Sequence, residues 1–376
     1  MAHDAAVPLV LVAAGGTGGH LFPAEALSAA LGARGFAVDL ATDERAALFG
    51  QKFPARQTHI IPSATVRGRD PVSLARTGLR LGLGAMQAFT LLGRLRPAAV
   101  IGFGGYPTVP PLIAAAWRSI PTLIHEQNGV MGRANRFLAP RVTAIATSFP
   151  GVLDKTPALS AKATHTGNPV RPAVVEAAKI AYAAPGRPGP LKLLVFGGSQ
   201  GARIMADIVP PAIELLPVAL RVQLLVTQQA RAEDIERVRA TFARLGTQAE
   251  IAPFFPDLPA RIAASHLVVS RSGASTVAEL AAIGRPSILV PLPHALDQDQ
   301  LANALMLERA GGAIRIDQTA FTPEKLASEI ARIAAEPEML AGMAQRARAI
   351  GALDAADRLA ALVQRVAGLT SSKVKE

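Results

Sequence analysis

The sequence predicts an α/β protein made of two doubly wound, parallel-sheet domains. Three observations carry that prediction. Short apolar runs of strand length alternate with amphipathic helical runs along most of the 376 residues, the pattern of a parallel sheet covered on both faces. A strand–glycine loop–helix corner occurs twice, at Gly15-Gly16-Thr17-Gly18-Gly19-His20 and at Gly197-Gly198-Ser199-Gln200-Gly201. Between them the stretch AYAAPGRPGP at 181–190 breaks the pattern and reads as a linker.

In the first half the expected strands are 7–14, 36–41, 58–61, 98–102, 121–125, 142–147 and 162–166, separated by helices such as Pro23–Arg34 and Leu112–Arg118. In the second half they are 191–196, 220–226, 248–252, 266–270, 286–291 and 313–316. The expected domains are 1–170 and 171–352, with a last helix at about 353–368 folding back on the first domain and a disordered tail over Thr370–Glu376. Two such domains facing each other would form a cleft between the carboxyl ends of their strands, where ligands of open α/β sheets sit.

Composition narrows the function. Half of the residues are hydrophobic, which excludes a disordered chain. There are no cysteines, so disulfides and thiolate metal sites are excluded, in keeping with a reducing compartment. Residues 2–6 carry no basic run and the first apolar run ends in the glycine loop, so no secretory leader is expected. The longest uncharged run, Ala98–Trp117, is long enough to span a bilayer, but Gly102, Gly104, Gly105, Pro107, Pro110 and Pro111 break it into strand, loop and helix. The formal charge of +11 favours an anionic partner: nucleic acid, lipid or substrate. With two tyrosines and one tryptophan there is no stacking platform among the arginines, and no compact basic recognition helix, so nucleic acid is not expected as a partner.

The loop at 15–20 suits a phosphate, because glycine backbone can approach closely and the N–H groups opening a helix carry partial positive charge. It is not a dinucleotide fingerprint, since Leu21 stands where the third glycine belongs, and it has no Walker lysine. His20 is its one group that exchanges a proton near neutral pH; the plainer reading is a tight turn with a surface histidine. Gly102-Phe103-Gly104-Gly105-Tyr106-Pro107 is either a second set of anion-facing amides or an ordinary turn. His125-Glu126-Gln127-Asn128-Gly129 ends a strand with four polar side chains, costly to bury unless paired, and a polar ligand would pair them. Gly129 removes the zinc-binding spacing. In Gly167-Asn168-Pro169-Val170-Arg171, Arg171 either reaches a ligand or pairs with a carboxylate.

Farther along, Arg271-Ser272-Gly273-Ala274-Ser275-Thr276 joins a strand to a helix start fit for a diphosphate, and Glu279 lies one turn on from Ser275, where a carboxylate can hold a ribose diol. The polar run Asp297-Gln298-Asp299-Gln300 with Asn303 suits sugar hydroxyls, or is simply a solvated first helical turn. Residues 65–96 set Arg67, Arg69, Arg76, Arg80, Arg94 and Arg96 against one acid, Asp70, among many apolar side chains. Two readings stay open: an amphipathic helix with a solvated arginine face, or a surface for anionic lipid.

Taken together and in this order, the blocks GGTGGH, GFGGYPTVP, HEQNG, GNPVR, GGSQGA, RSGAST and the Gln300/Asn303 segment resemble the MurG family of bacterial peptidoglycan glycosyltransferases, within glycosyltransferase family 28 and of the two-domain GT-B fold. The resemblance spans about residues 7–365. It implies an inverting transfer of N-acetylglucosamine from UDP-N-acetylglucosamine to the muramyl 4-hydroxyl of lipid I, making lipid II, without a cofactor or metal. It implies a second domain that holds the UDP-sugar: Ser199 on the diphosphate, Ala274, Ser275 and Thr276 on phosphate and sugar, Glu279 on the ribose, and Gln300 and Asn128 on the sugar. Arg171, Thr17, Gly18 and Gly19 would also line the donor and acceptor cleft. His20 is the first candidate for general base and Glu126 the reserve. The resemblance further implies a peripheral position on the cytoplasmic face of the bacterial inner membrane, contact with anionic lipid through 65–96, and other cell-wall synthesis proteins as partners. A transferase with a soluble acceptor, or a UDP-sugar epimerase of the same fold, is the alternative. The chain departs from the family at Asp299, where a first glutamine is usual, in a longer loop at His294-Ala295-Leu296-Asp297, and at Phe255.

Overall fold

Each apolar run read as a strand forms one, and in both halves the first strand lies inside its sheet, third from one edge. The computed structural model describes residues 7–15, 18–44, 53–64, 70–186, 189–198, 201–293 and 298–369. Thr17, Arg67, Arg69, Ser199, the 294–297 loop and the 370–376 tail therefore lie outside the described residues. The chain divides into two units, one of Met1–Arg171 with Asp354–Glu376 and one of Pro172–Leu353.

In the first unit β1 (Leu9–Ala13), β2 (Ala37–Thr42), β3 (Gln57–Ile60), β4 (Ala99–Gly102), β5 (Thr122–Glu126), β6 (Ala144–Thr147) and β7 (Ala163–His165) form a parallel sheet ordered β3-β2-β1-β4-β5-β6-β7. The direction of strand addition reverses between β1 and β4, and such a reversal opens a crevice at the carboxyl ends of the strands. β1 is buried on both faces, which is why it reads as an unbroken apolar run. Val10 and Val12 point into a layer with Leu21, Leu27 and Leu31 of the first helix, Gly18–Ala33. Leu11 and Ala13 point into the opposite layer with Leu91, Leu92 and Leu112. The closing helix Ala355–Val366 sends Leu359, Leu362 and Val363 into the first of these layers.

The second unit repeats the plan with β8 (Leu191–Phe196), β9 (Leu224–Gln229), β10 (Gln248–Ala252), β11 (Leu267–Ser270), β12 (Ser287–Leu289) and β13 (Ala313–Arg315), all parallel and ordered β10-β9-β8-β11-β12-β13. Its reversal falls between β8 and β11. Leu193 and Val195 of β8 pack with Met205, Val209 and Ile213 of the helix Arg203–Glu214.

Three boundaries differ from expectation. The first helix begins at Gly18, so Gly18, Gly19 and His20 form its first turn rather than the loop before it. The helix expected from Leu112 begins at Val109, because Pro110 and Pro111 occupy first-turn positions where a missing N–H costs nothing. The strand expected at 220–226 is displaced: Pro217 opens a helical turn over Val218–Arg221, and β9 runs on through Thr227, Gln228 and Gln229.

The 25-residue helix Pro71–Leu95 packs on the helix Val109–Trp117. Gly84 is the point of closest approach: a methyl group there would lie 2.1 Å from the Pro62 carbonyl oxygen and 3.2 Å from Pro110 Cγ. At Gly82, two residues away, a methyl group would meet nothing within 4 Å. Gly84→Ala is therefore expected to destabilise the protein by about 1–3 kcal/mol, and Gly82→Ala to stabilise it by roughly 0.5–1 kcal/mol through helix propensity. Urea unfolding of the two variants checks the opposite signs.

Candidate active site

The site in the first unit is built at the reversal between β1 and β4. The chain leaves β4 as Phe103-Gly104-Gly105, with Gly104 at φ 83° and Gly105 at φ 73°. Those left-handed conformations, and the absence of side chains, let the loop close over the His20 ring. A Cβ on Gly104 would lie 3.3 Å from His20 Cε1, and one on Gly105 would lie 3.4 Å from Cδ2 and Nε2. The residue is half-buried while Nδ1 is wholly buried. Burial lowers the His20 pKa below its usual 6.5, against the opposing pull of the Gln127 side chain and the Phe103 carbonyl. The ring is thus neutral at pH 7 and able to accept a proton.

The polar cluster that ends β5 meets the expectation that its buried groups need partners, and most of those partners come from within the chain. His125 is fully buried, its Nε2 3.0 Å from the Gly167 carbonyl, and burial lowers its pKa to about 4. Glu126 Oε1 accepts from the Asn128 backbone N–H at 3.0 Å and from Asn128 Nδ2 at 3.1 Å. Its Oε2 accepts from Gly132 N at 3.0 Å and from Asn135 Nδ2 at 2.8 Å. Burial pushes the Glu126 carboxyl pKa up and these four donors oppose it. Gln127 Nε2 donates to the Phe103 carbonyl at 2.8 Å. Asn128 is half-buried beside this network. The Arg171 guanidinium stacks 4.0 Å from the centre of the Phe22 ring, and it draws down the pKa of Glu25, which burial raises.

In the second unit the two loops flanking the reversal are the glycine loop after β8 and the segment 271–273 after β11. Gly198 and Gly201 have φ of 86° and 66°. Gly197 N donates to Gln229 Oε1 at 2.9 Å, and Gln229 Nε2 to the Pro253 carbonyl at 3.1 Å, so a side chain at the end of β9 holds the loop. The helix Ala274–Ile283 starts from Gly273, which has no side chain to cap the open N–H groups. Ala274, Ser275 and Thr276 form its half-buried first turn, and Glu279 is buried one turn on. Buried Arg271 clamps the carbonyls of Val290 and Pro291, both at 3.1 Å, and Gln318 Oε1.

Gln300 is drawn to the same place. Its carbonyl accepts from Ser272 Oγ at 2.8 Å and its Oε1 from Leu292 N at 3.1 Å. Asp299 Oδ1 accepts from Gln300 N at 2.8 Å, so the departure from a paired glutamine serves as a turn-stabilising acceptor at the helix start. Phe255 is buried under the Arg261 guanidinium, while Phe254 is exposed.

The structure thus gathers His20, Gly18, Gly19, Glu126 and Asn128 in one unit and Ala274, Ser275, Thr276, Glu279 and Gln300 in the other. Asn135 and Gln229 were missed from sequence. Asn135 sits on the six-residue helix Arg133–Leu138, too short to show a period. Gln229 fell beyond the strand as first drawn, although a polar pair ending an apolar run was a usable signal.

Residues 10–147 match the glycosyltransferase family 28 N-terminal domain and residues 192–359 the glycosyltransferase family 28 C-terminal domain. A protein of Rhodopseudomonas palustris called UDP-N-acetylglucosamine–N-acetylmuramyl-(pentapeptide) pyrophosphoryl-undecaprenol N-acetylglucosamine transferase is 65% identical over 360 residues, 96% of this chain and 98% of that protein. One of the same name from a Bradyrhizobium species is 64% identical over 96% of this chain and 99% of its own length. Among solved structures, that of Acinetobacter baumannii MurG is 28% identical with a TM-score of 0.76, over 96% of this chain and 99% of that one. Two matched domains that fill most of the sequence, each on its own parallel sheet, make this chain a member of glycosyltransferase family 28.

Proposed function

We propose that this protein transfers N-acetylglucosamine from UDP-N-acetylglucosamine to the muramyl 4-hydroxyl of undecaprenyl-diphospho-muramyl-pentapeptide, lipid I, to give lipid II. The observation that carries this reading is the 65% identity, over 96% of the chain, to a transferase of that name. The transfer inverts the sugar: the acceptor oxygen attacks the anomeric carbon from the face opposite UDP, the bond to UDP breaks, and an α-linked donor becomes a β-linked product.

Roles follow from the chemistry each residue can supply. His20 takes the proton from the 4-hydroxyl as its oxygen attacks, a task suited to a neutral imidazole. Glu126, the other candidate base, already spends both oxygens on four N–H donors, so it serves by holding Asn128. The departing UDP gathers negative charge, which the N-terminal turn of the helix at Ala274, Ser275 and Thr276 and the glycine-rich sequence that carries Ser199 are suited to neutralise. Glu279 takes the ribose hydroxyls. Gln300, its Oε1 engaged by Leu292 N, offers the sugar its amide N–H groups, and Asn128 is a second candidate for the sugar. Thr17, Gly18, Gly19 and Arg171 receive the diphosphates.

The lipid acceptor calls for a membrane face, and Pro71–Leu95 supplies its features. Leu79, Leu83 and Met86 are 66%, 58% and 67% exposed at helical spacing, with Trp117 62% exposed on the neighbouring helix. Trp117 also lines an apolar cavity of about 730 Å³ together with Leu81, Ala85, Ile113 and Phe137, with Arg133 and Arg141 in its walls. Exposed Arg76 and Arg80 stand among them. Apolar side chains ringed by guanidinium groups match the acyl and headgroup layers of an anionic bilayer. Among the described residues no helix is long and apolar enough to cross a membrane, and we assign peripheral binding at the cytoplasmic face.

Three outcomes are expected. Purified protein converts lipid I and UDP-N-acetylglucosamine to lipid II, and preference for a water-soluble acceptor would favour the alternative reading. His20→Ala keeps UDP-sugar binding in calorimetry but lowers kcat by roughly 10²–10⁴-fold, and the acid limb of kcat/KM in the parent falls below pH 6.5, because burial depresses the base's pKa. The double variant Leu79→Glu/Met86→Glu sediments far less with phosphatidylglycerol vesicles than the parent while retaining its melting temperature.

A further inference from the structure

We infer that Gln127 is a positioning residue for His20: its side-chain oxygen receives the Nδ1–H of the imidazole and leaves Nε2 as the atom that takes the acceptor proton. The inference rests on His20 being the base. Gln127 follows the last residue of β5 and is 2% exposed. Its Nε2 lies 2.8 Å from the Phe103 carbonyl, which can only accept, so the orientation of the amide is settled and Oε1 must be on the other side. Among the described residues that Oε1 is buried with no hydrogen-bond partner, and so is His20 Nδ1. Both atoms border Gly104, where an added Cβ would be 3.6 Å from Gln127 Oε1 and 3.3 Å from His20 Cε1.

A buried acceptor and a buried donor left open against the same bare glycine satisfy each other when the loop tightens around a bound acceptor, as catalytic hydrogen bonds commonly do. A neutral imidazole has one N–H. With it committed at Nδ1, the lone pair sits at Nε2, the ring nitrogen beside Gly105. An amide orients the ring as the carboxylate of a hydrolase triad does, but adds no charge that would raise the base's pKa. Ionisable groups on the elements around it include Glu25 on the same helix, Arg171, neutral His125, Glu126, whose carboxyl oxygens accept from four N–H donors, and Asp357, Arg358 and Arg365 on the closing helix that packs against the first. The lowered pKa of His20 is accounted for by burial.

The test uses the full-length protein with lipid I and UDP-N-acetylglucosamine. Gln127→Met keeps the side chain's length and removes its oxygen; Gln127→Glu keeps an acceptor and adds charge. Gln127→Met is expected to lower kcat on the order of tenfold or more with donor KM and UDP affinity unchanged. Gln127→Glu is expected to recover turnover in part and to move the acid limb of kcat/KM up by about one pH unit. Parent-like kcat in Gln127→Met, or an acid limb in Gln127→Glu at its parent position, overturns the inference. Should Gln127→Met not fold, the pH profile of Gln127→Glu decides alone. An inactive His20→Ala beside a fully active Gln127→Met rejects the positioning role and leaves the base in place, whereas an active His20→Ala rejects the base itself.

Discussion

Both units depend on one constraint: in a parallel sheet the strands all end on the same side, and each hands its chain to a helix whose first N–H groups have no partner in the helix. Where strand order reverses, two of those handovers diverge and leave room between them. β1 and β4 do this in the first unit, β8 and β11 in the second. Glycines then decide how near a guest can come. Gly104 and Gly105 close over an imidazole, and Gly273 puts no side chain at the start of its helix.

Around these openings the protein spends polar side chains on holding backbone. Glu126, Gln127, Asn135, Gln229 and Arg271 each tie loops together rather than projecting into solvent. Burying such groups is tolerable because nearly every donor meets an acceptor. Two atoms left open against one glycine, Gln127 Oε1 and His20 Nδ1, are informative for the same reason, since an unpaired buried atom is expensive unless a second state of the molecule pairs it.

Much of the fold was legible because strands buried on both faces are written as continuous Val, Ile and Leu, as in β1 and β8. The glycine corners were legible because positive φ and close approach leave few alternatives to glycine. What failed did so where local signals compete or contacts are remote. Thr227, Gln228 and Gln229 look like a loop by hydropathy, yet a parallel strand's carboxyl end is where polar residues gather. The four polar residues after Leu123 and Ile124 looked dependent on a ligand, because nothing in the sequence shows that Asn135, Gly132 and Gly167 arrive to pair them. Which candidate carries the proton is partly a matter of surroundings: sequence ranks His20 ahead of Glu126 because an imidazole exchanges a proton near neutral pH, and it does not show the four donors that occupy Glu126.

The closing helix Ala355–Val366 completes a layer of the unit that begins the chain, its Leu359 and Val363 packing with Leu27 and Leu31. The second unit is consequently an insertion, a single continuous span bounded at 172 and 353, tethered at both ends to one body. Its own fold can be cut out as one piece of gene. The enclosing body cannot be made from any single uninterrupted stretch, and a ribosome that stops short of the last helix releases a chain whose opening sheet still lacks part of its cover.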